Sequence, residues 1–129
     1  LQDAAAWRSE SVVKVVCDAA GDALYFSRAP IPHLRGGAPE LPDPEGRYLR
    51  HVGVYVFRRD ALDRWTGLPP SPLEELERLE QLRALEAGLK IRVIKGPPAE
   101  PGVDEPGDLR RAERILASET PPQPDGSHV

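Results

Sequence analysis

The sequence predicts an α/β protein in which helices layer against a mixed sheet. Runs of β-branched and aromatic residues at 12–17, 23–27 and 51–57 are bounded by turn residues, and the first two lie close enough to form a hairpin. A leucine-rich stretch at residues 71–88 carries helix start and stop signals. Proline clusters fall between these segments and not within them, so they punctuate a fold.

The elements follow in order. Residues 12–17 and 23–27 flank Asp18-Ala19-Ala20-Gly21-Asp22, which supplies the turn of a β-hairpin. Residues 35–47 contain Gly36, Gly37 and charges of both signs, and read as a long loop. His51-Val52-Gly53-Val54-Tyr55-Val56-Phe57 is the most apolar stretch and reads as a central strand covered on both faces. A short helix is expected over residues 59–65, ending near Gly67. In the stretch 71–88, Ser71 is the N-cap, Pro72 takes the first helical position, Glu74 completes a Ser-x-x-Glu capping box, and Gly88 is the stop. Leu73, Leu76, Leu79, Leu82 and Leu85 recur every third residue. An α-helix turns once in about 3.6 residues, so this series drifts around the helix and implies contact on more than one side. Residues 91–94 read as a short strand, and 107–118 as an amphipathic helix with Leu109, Ala112, Ile115 and Leu116 inward. Residues 1–119 are expected to make one domain, with the polar, proline-rich 120–129 as a disordered tail.

Composition excludes several classes. The net charge is −4 and the basic residues are scattered, which argues against nucleic acid as a partner. No apolar run approaches the roughly 18 residues of a membrane span. The single cysteine, Cys17, ends an apolar run and reads as a small buried hydrophobe, which fits a reducing, cytoplasmic setting.

Five segments, in order, carry a resemblance. They are Val13-Lys14-Val15-Val16 with Ala23-Leu24-Tyr25-Phe26-Ser27-Arg28-Ala29-Pro30-Ile31-Pro32; Tyr48-Leu49-Arg50-His51-Val52-Gly53-Val54-Tyr55; Leu68-Pro69-Pro70-Ser71-Pro72-Leu73-Glu74; Leu79-Glu80-Gln81-Leu82-Arg83-Ala84-Leu85; and Gly102-Val103-Asp104-Glu105-Pro106-Gly107-Asp108-Leu109. Together they resemble the CMP-Kdo synthetases, the 3-deoxy-manno-octulosonate cytidylyltransferases of bacterial lipopolysaccharide synthesis, over residues 12–115. The resemblance implies part of a nucleotide-diphospho-sugar-transferase-like (Rossmann-like) three-layer fold. Its β-hairpin excursion resembles a dimerisation element, so a homodimer is expected of the complete protein. The implied reaction is transfer of CMP from CTP to the acidic sugar Kdo, with release of pyrophosphate and with Mg²⁺ as cofactor. Two motifs of that family, a basic glycine loop that wraps the CTP triphosphate and a Gln-Gly-Asp, are not found in these residues. Gly36-Gly37 lack the preceding strand and following helix that a phosphate loop needs. The chain, which opens on Leu1 and contains no Met, is therefore expected to be the C-terminal, sugar-binding and dimerising portion, inactive by itself. The alternatives are an inactive dimerisation or sugar-acid-binding module, and a relative that uses another acidic sugar.

Six residues are candidates for the site. Asp104 offers a hard carboxylate oxygen suited to Mg²⁺; by spacing alone it would cap the helix that follows, and the match of Gly102-Val103-Asp104 to the family favours the catalytic metal ligand. The family commonly has Thr where this chain has Glu105. Arg28 ends the second hairpin strand beside a proline-locked turn. Its guanidinium suits a carboxylate, against the plain alternative of a surface arginine. His51 and Tyr55 lie an even number of residues apart with Gly53 between them, so a strand would turn both toward a sugar. The rival is a buried histidine satisfied by a neighbour. Glu80 and Gln81 interrupt the leucine pattern, and the resemblance implies that this pair contacts the sugar. The rival there is an exposed Glu80 on the solvent face, paired with Arg83 or a neighbour.

Overall fold

The computed structural model describes residues 1–96 and 106–118. Its elements are α1 (Ala4–Arg8), β1 (Lys14–Cys17), β2 (Ala23–Ser27), β3 (Leu49–Arg50), α2 (Arg59–Thr66), α3 (Pro72–Glu77), α4 (Gln81–Glu86) and α5 (Pro106–Ser118). Residues 1–97 make one compact unit and α5 belongs to a second.

The hairpin forms where its turn residues place it. The Asp18 carboxylate accepts from the Ala20 and Asp22 main-chain N–H groups, both at 2.9 Å, and Gly21 supplies the positive φ of 87° that closes the turn. β1 and β2 then pair antiparallel from Lys14↔Ser27 to Cys17↔Ala23, with a bulge between Val16 and Cys17. β3 adds on the other side of β1 through Lys14↔Arg50 and Val15↔Leu49, giving the order β2-β1-β3. Of the expected mixed sheet, the described residues thus contain an antiparallel part. Val15, Ala23, Phe26, Leu79 and Leu82 form the core, with Leu73, Leu85 and Ile91 packed against it.

Four expectations are corrected. Residues 51–57 are not a central strand. β1 begins at Lys14, so β3 runs out of partner after one further bond, from His51 N–H to the Val13 carbonyl at 2.9 Å. Beyond it Val52, Val54 and Val56 stand 47%, 79% and 98% exposed. The stretch 71–88 is not one helix but α3 and α4, broken at Arg78, whose φ of 56° and ψ of 47° are left-handed. A straight helix cannot bring every third residue to one core; the break lets Leu73, Leu79, Leu82 and Leu85 reach it while Leu76 stays 80% exposed. Glu74 and Arg83 join the two helices across the break through paired hydrogen bonds, one of them 2.6 Å. Residues 91–94 make a single bridge, Asp22↔Arg92, in place of a strand. In α5, Leu109 and Leu116 are exposed rather than inward.

Other expectations hold. α2 ends at Gly67, and α4 ends on Gly88 with φ 74°, where the Leu89 N–H returns to the Ala84 carbonyl at 2.9 Å. α1 was not foreseen, although its signal is present: Asp3 precedes three alanines and its carboxylate caps Ala6 N–H at 2.7 Å. Asp104 and the expected tail at 120–129 lie outside the described residues. Among the described residues no helix is long and apolar enough to cross a membrane.

Candidate functional site

His51 and Tyr55 do come together. The Tyr55 hydroxyl and His51 Nε2 share a hydrogen bond of 2.7 Å. The two begin a chain of aromatic contacts: Phe26 meets the His51 ring edge-on at 5.1 Å, Tyr55 stacks on Phe57 at 5.9 Å, and Phe57 stacks on Trp65 at 5.1 Å. α2 holds Trp65 in place, its helix braced by an Arg59–Asp63 pair one turn apart and stopped by Gly67. Burial holds the His51 imidazole below its ordinary pKa and pushes the Tyr55 hydroxyl up to about 12, with the Glu80 charge adding to the latter. At neutral pH the pair is therefore uncharged, and suited to hydrogen-bonding hydroxyl groups.

Beside this aromatic row lies an open recess of about 320 Å³, lined by Leu62, Trp65, Thr66, Glu80 and Arg83. Glu80 stands exposed just before α4. That exposure is what the rival reading expects of Glu80, but among the described residues Arg83 pairs with Glu74 in its place. Next to it Gln81 is only 6% exposed, and its side-chain nitrogen finds no hydrogen-bond partner. A buried amide donor without a partner is costly, and a ligand hydroxyl would relieve it.

Arg28 lies at the end of the same sheet. Carried one residue beyond Lys14, the strand register sets Arg28 and His51 on either side of Val13. Their main chains are then about two strand spacings, roughly 10 Å, apart. The guanidinium is held away from the aromatic row: Nε donates to the Glu77 carbonyl at 2.9 Å and Nη1 to the Glu10 carbonyl at 3.0 Å. The Glu77 carboxylate accepts from Ser27 Oγ at 2.5 Å, from the Arg28 main-chain N–H at 2.9 Å and from the Tyr25 hydroxyl at 3.4 Å. Burial raises its pKa, but these donors outweigh that and hold it below the ordinary range.

The structure thus sets Glu80 on the recess with Gln81 next to it in sequence, places the His51–Tyr55 pair in the aromatic row that reaches the recess at Trp65, and sets Arg28 at the neighbouring sheet end. Sequence reasoning missed Phe57, Trp65 and Glu77. Phe57 continues the odd-numbered series of His51 and Tyr55, a signal that could have been used. Nothing in Glu74-Glu75-Leu76-Glu77 marks out its last residue. Cys17 sits against the core and burial pushes its thiol up, as befits a packing residue. Among the described residues no three His, Cys, Asp or Glu side chains converge to hold a metal ion.

The sequence matches the cytidylyltransferase family over residues 2–91. The chain belongs to that family. Among curated members it is similar to the 3-deoxy-manno-octulosonate cytidylyltransferase of Syntrophotalea carbinolica, 54% identical over 114 residues, covering 85% of this chain and 45% of the relative. The enzyme of the same name from Solibacter usitatus is 52% identical over 106 residues, covering 82% of this chain and 40% of its own length. Among solved structures, CMP:2-keto-3-deoxy-manno-octonic acid synthetase complexed with CTP superposes with a TM-score of 0.77 at 44% identity, covering 91% of this chain and 46% of that one. This chain therefore has the α/β fold of its family and spans less than half the length of the relatives it matches.

Proposed function

We propose that this chain supplies the acidic-sugar site of a CMP-Kdo synthetase, which transfers CMP from CTP to Kdo and releases pyrophosphate for lipopolysaccharide synthesis in the cytoplasm. The observation that carries the reading is the uncharged His51–Tyr55 hydrogen-bonded pair in the aromatic row beside the recess. The pair, the exposed Glu80 and the Gln81 nitrogen, which has no partner among the described residues, offer donors and acceptors to sugar hydroxyls, and Arg28 at the neighbouring sheet end offers a guanidinium suited to the sugar's carboxylate. The similarity to enzymes named for Kdo supports the choice of sugar.

The reading extends to what the described residues do not contain. Asp104 has the carboxylate oxygen that Mg²⁺ prefers, and one or two such ligands beside phosphates suffice. Mg²⁺ bound there would neutralise phosphate charge during the transfer. The complete enzyme is read as a homodimer.

Calorimetry with the chain tests the sugar site. Kdo should bind, and Tyr55→Phe and Glu80→Ala should each weaken it about three- to tenfold. Absence of binding would overturn the assignment. Mixed with CTP, Kdo and Mg²⁺, the chain should release no pyrophosphate, because the basic glycine loop and Gln-Gly-Asp are not among its residues. Turnover would show that the CTP site had been misplaced.

A further inference from the structure

A free arginine loses much rotamer freedom when it grips an anion, and prior restraint of the side chain spares that loss. Arg28 is already restrained. Two of the five guanidinium N–H donors are committed to the carbonyls of Glu77 and Glu10, and three remain for a ligand among the described residues.

The main chain beneath it is fixed as well. One Glu77 carboxylate oxygen takes the Arg28 N–H, while the other takes the Ser27 and Tyr25 hydroxyls. Ser27 Oγ in turn accepts from the Ala29 N–H at 2.9 Å, so a single carboxylate organises residues 25–29 where β2 ends. Glu77 can do this because it is the last residue of α3. Its carbonyl has no partner further along the helix, and the left-handed Arg78 turns the following chain away. A residue that merely pinned the hairpin to α3 would need one such bond. Glu77 directs both its carboxylate and its main-chain carbonyl to the same residue, Arg28.

We propose that Glu77 is the positioning residue for Arg28, fixing its main chain through the carboxylate and its guanidinium through the carbonyl, so that the remaining donors meet an incoming sugar carboxylate already aligned. The proposal rests on the reading of Arg28 as the anion-binding group, and two readouts separate the two ideas.

The first is calorimetry with Kdo and with its C1 amide, which lacks the negative charge. The protein should prefer the acid. Glu77→Ala should lower affinity for the acid about tenfold and for the amide less than about twofold. Arg28→Ala should do the same, and the double variant should be no worse than Arg28→Ala. Additive losses, or an unchanged preference for the acid in Glu77→Ala, would overturn the proposal. The second readout needs no sugar: the Arg28 Nε–H resonance in the NMR spectrum. It should be sharp and slow to exchange in the native protein. Glu77→Ala keeps the carbonyl that Nε–H meets but removes the carboxylate that anchors the Arg28 main chain, so the signal should broaden while the hairpin amides stay dispersed. If Glu77→Ala unfolds, Glu77→Gln serves in its place. It keeps an oxygen for the Arg28 N–H and should retain most of both the sharp signal and the preference for the acid; loss of that preference with the signal retained would overturn the proposal. An unaltered Nε–H signal in Glu77→Ala would refute the positioning role. A native protein that binds neither acid nor amide but shows the expected NMR change would instead sink the sugar-site reading and leave the positioning role standing.

Discussion

Lys14 is wholly buried, an ammonium where a strand facing a core would ordinarily carry an aliphatic chain. An uncompensated charge there would be prohibitive. Each of its N–H donors instead finds a carbonyl: Ser9 at 2.7 Å, Val12 at 2.6 Å, and Arg28. Burial lowers its pKa and the Glu77 charge opposes that shift. Lys14→Met preserves length but leaves those carbonyls unpaired, so unfolding free energy should fall by about 2–3 kcal/mol. A shift in the urea midpoint measures this, and a loss below about 0.5 kcal/mol would mean that water replaces the ammonium. His51 gives a second expectation at this scale. Burial depresses its pKa, so as pH falls the unfolded chain takes up the proton first. The stability owed to the neutral imidazole is complete above the unfolded value of about 6.5 and declines as pH drops through it. Asp22, Asp43, Glu74 and Glu77 are depressed too, but as carboxylates they act only at lower pH. Denaturation midpoints at about pH 7.5 and about pH 5.5 should therefore differ, and His51→Gln should reduce the difference to what the Leu1 amino group, also depressed by burial, contributes. An equal slope in both proteins would remove His51 from the account.

Among the elements, the joint between α3 and α4 is the most informative. Arg78 is exposed and sits in the left-handed region, which costs a side chain about 1–2 kcal/mol. Glycine avoids that strain but loses about 0.5–1 kcal/mol through greater freedom in the unfolded chain. Arg78→Gly should therefore stabilise the protein by about 0.5–1 kcal/mol and Arg78→Val should destabilise it, both read from urea midpoints. Destabilisation by glycine would mean that the arginine side chain contributes more than its exposure implies. The same joint shows what was legible in the sequence. Signals that act within a few residues were readable: the Asp18 turn, the Pro72 start, the Gly67 and Gly88 stops. The leucine spacing announced wide contact but not the break that resolves it, because an arginine in a glycine's conformation leaves no mark. His51 and Tyr55 were paired correctly although the strand expected to carry them did not form, since an alternating chain turns alternate side chains together wherever its backbone is extended. Glu77 was invisible because its partners lie 49 to 52 residues away.

At the scale of the whole molecule, the stretch after β3 sets the behaviour in solution. Its odd-numbered aromatic rings are engaged with one another and with Trp65, while Val52, Val54 and Val56 face outward. Among the described residues the sheet order is β2-β1-β3, and these valines follow directly on β3. Three exposed β-branched residues in one short run are a surface on which strands of other chains add readily. The chain should therefore self-associate with rising concentration. Replacing Val54 and Val56 by lysine should suppress this, since charge in an exposed β-branched run opposes strand addition. The fold should tolerate the change, because these side chains are 79% and 98% exposed and surface substitutions of this kind usually alter stability by less than about 0.5 kcal/mol. Light scattering across a concentration series, paired with urea midpoints, reads both quantities. Equal association of the native chain and the Val54→Lys/Val56→Lys variant would place the sticky surface elsewhere. A large loss of stability in the variant would mean that the valines pack in solution against something the exposed stretch does not show.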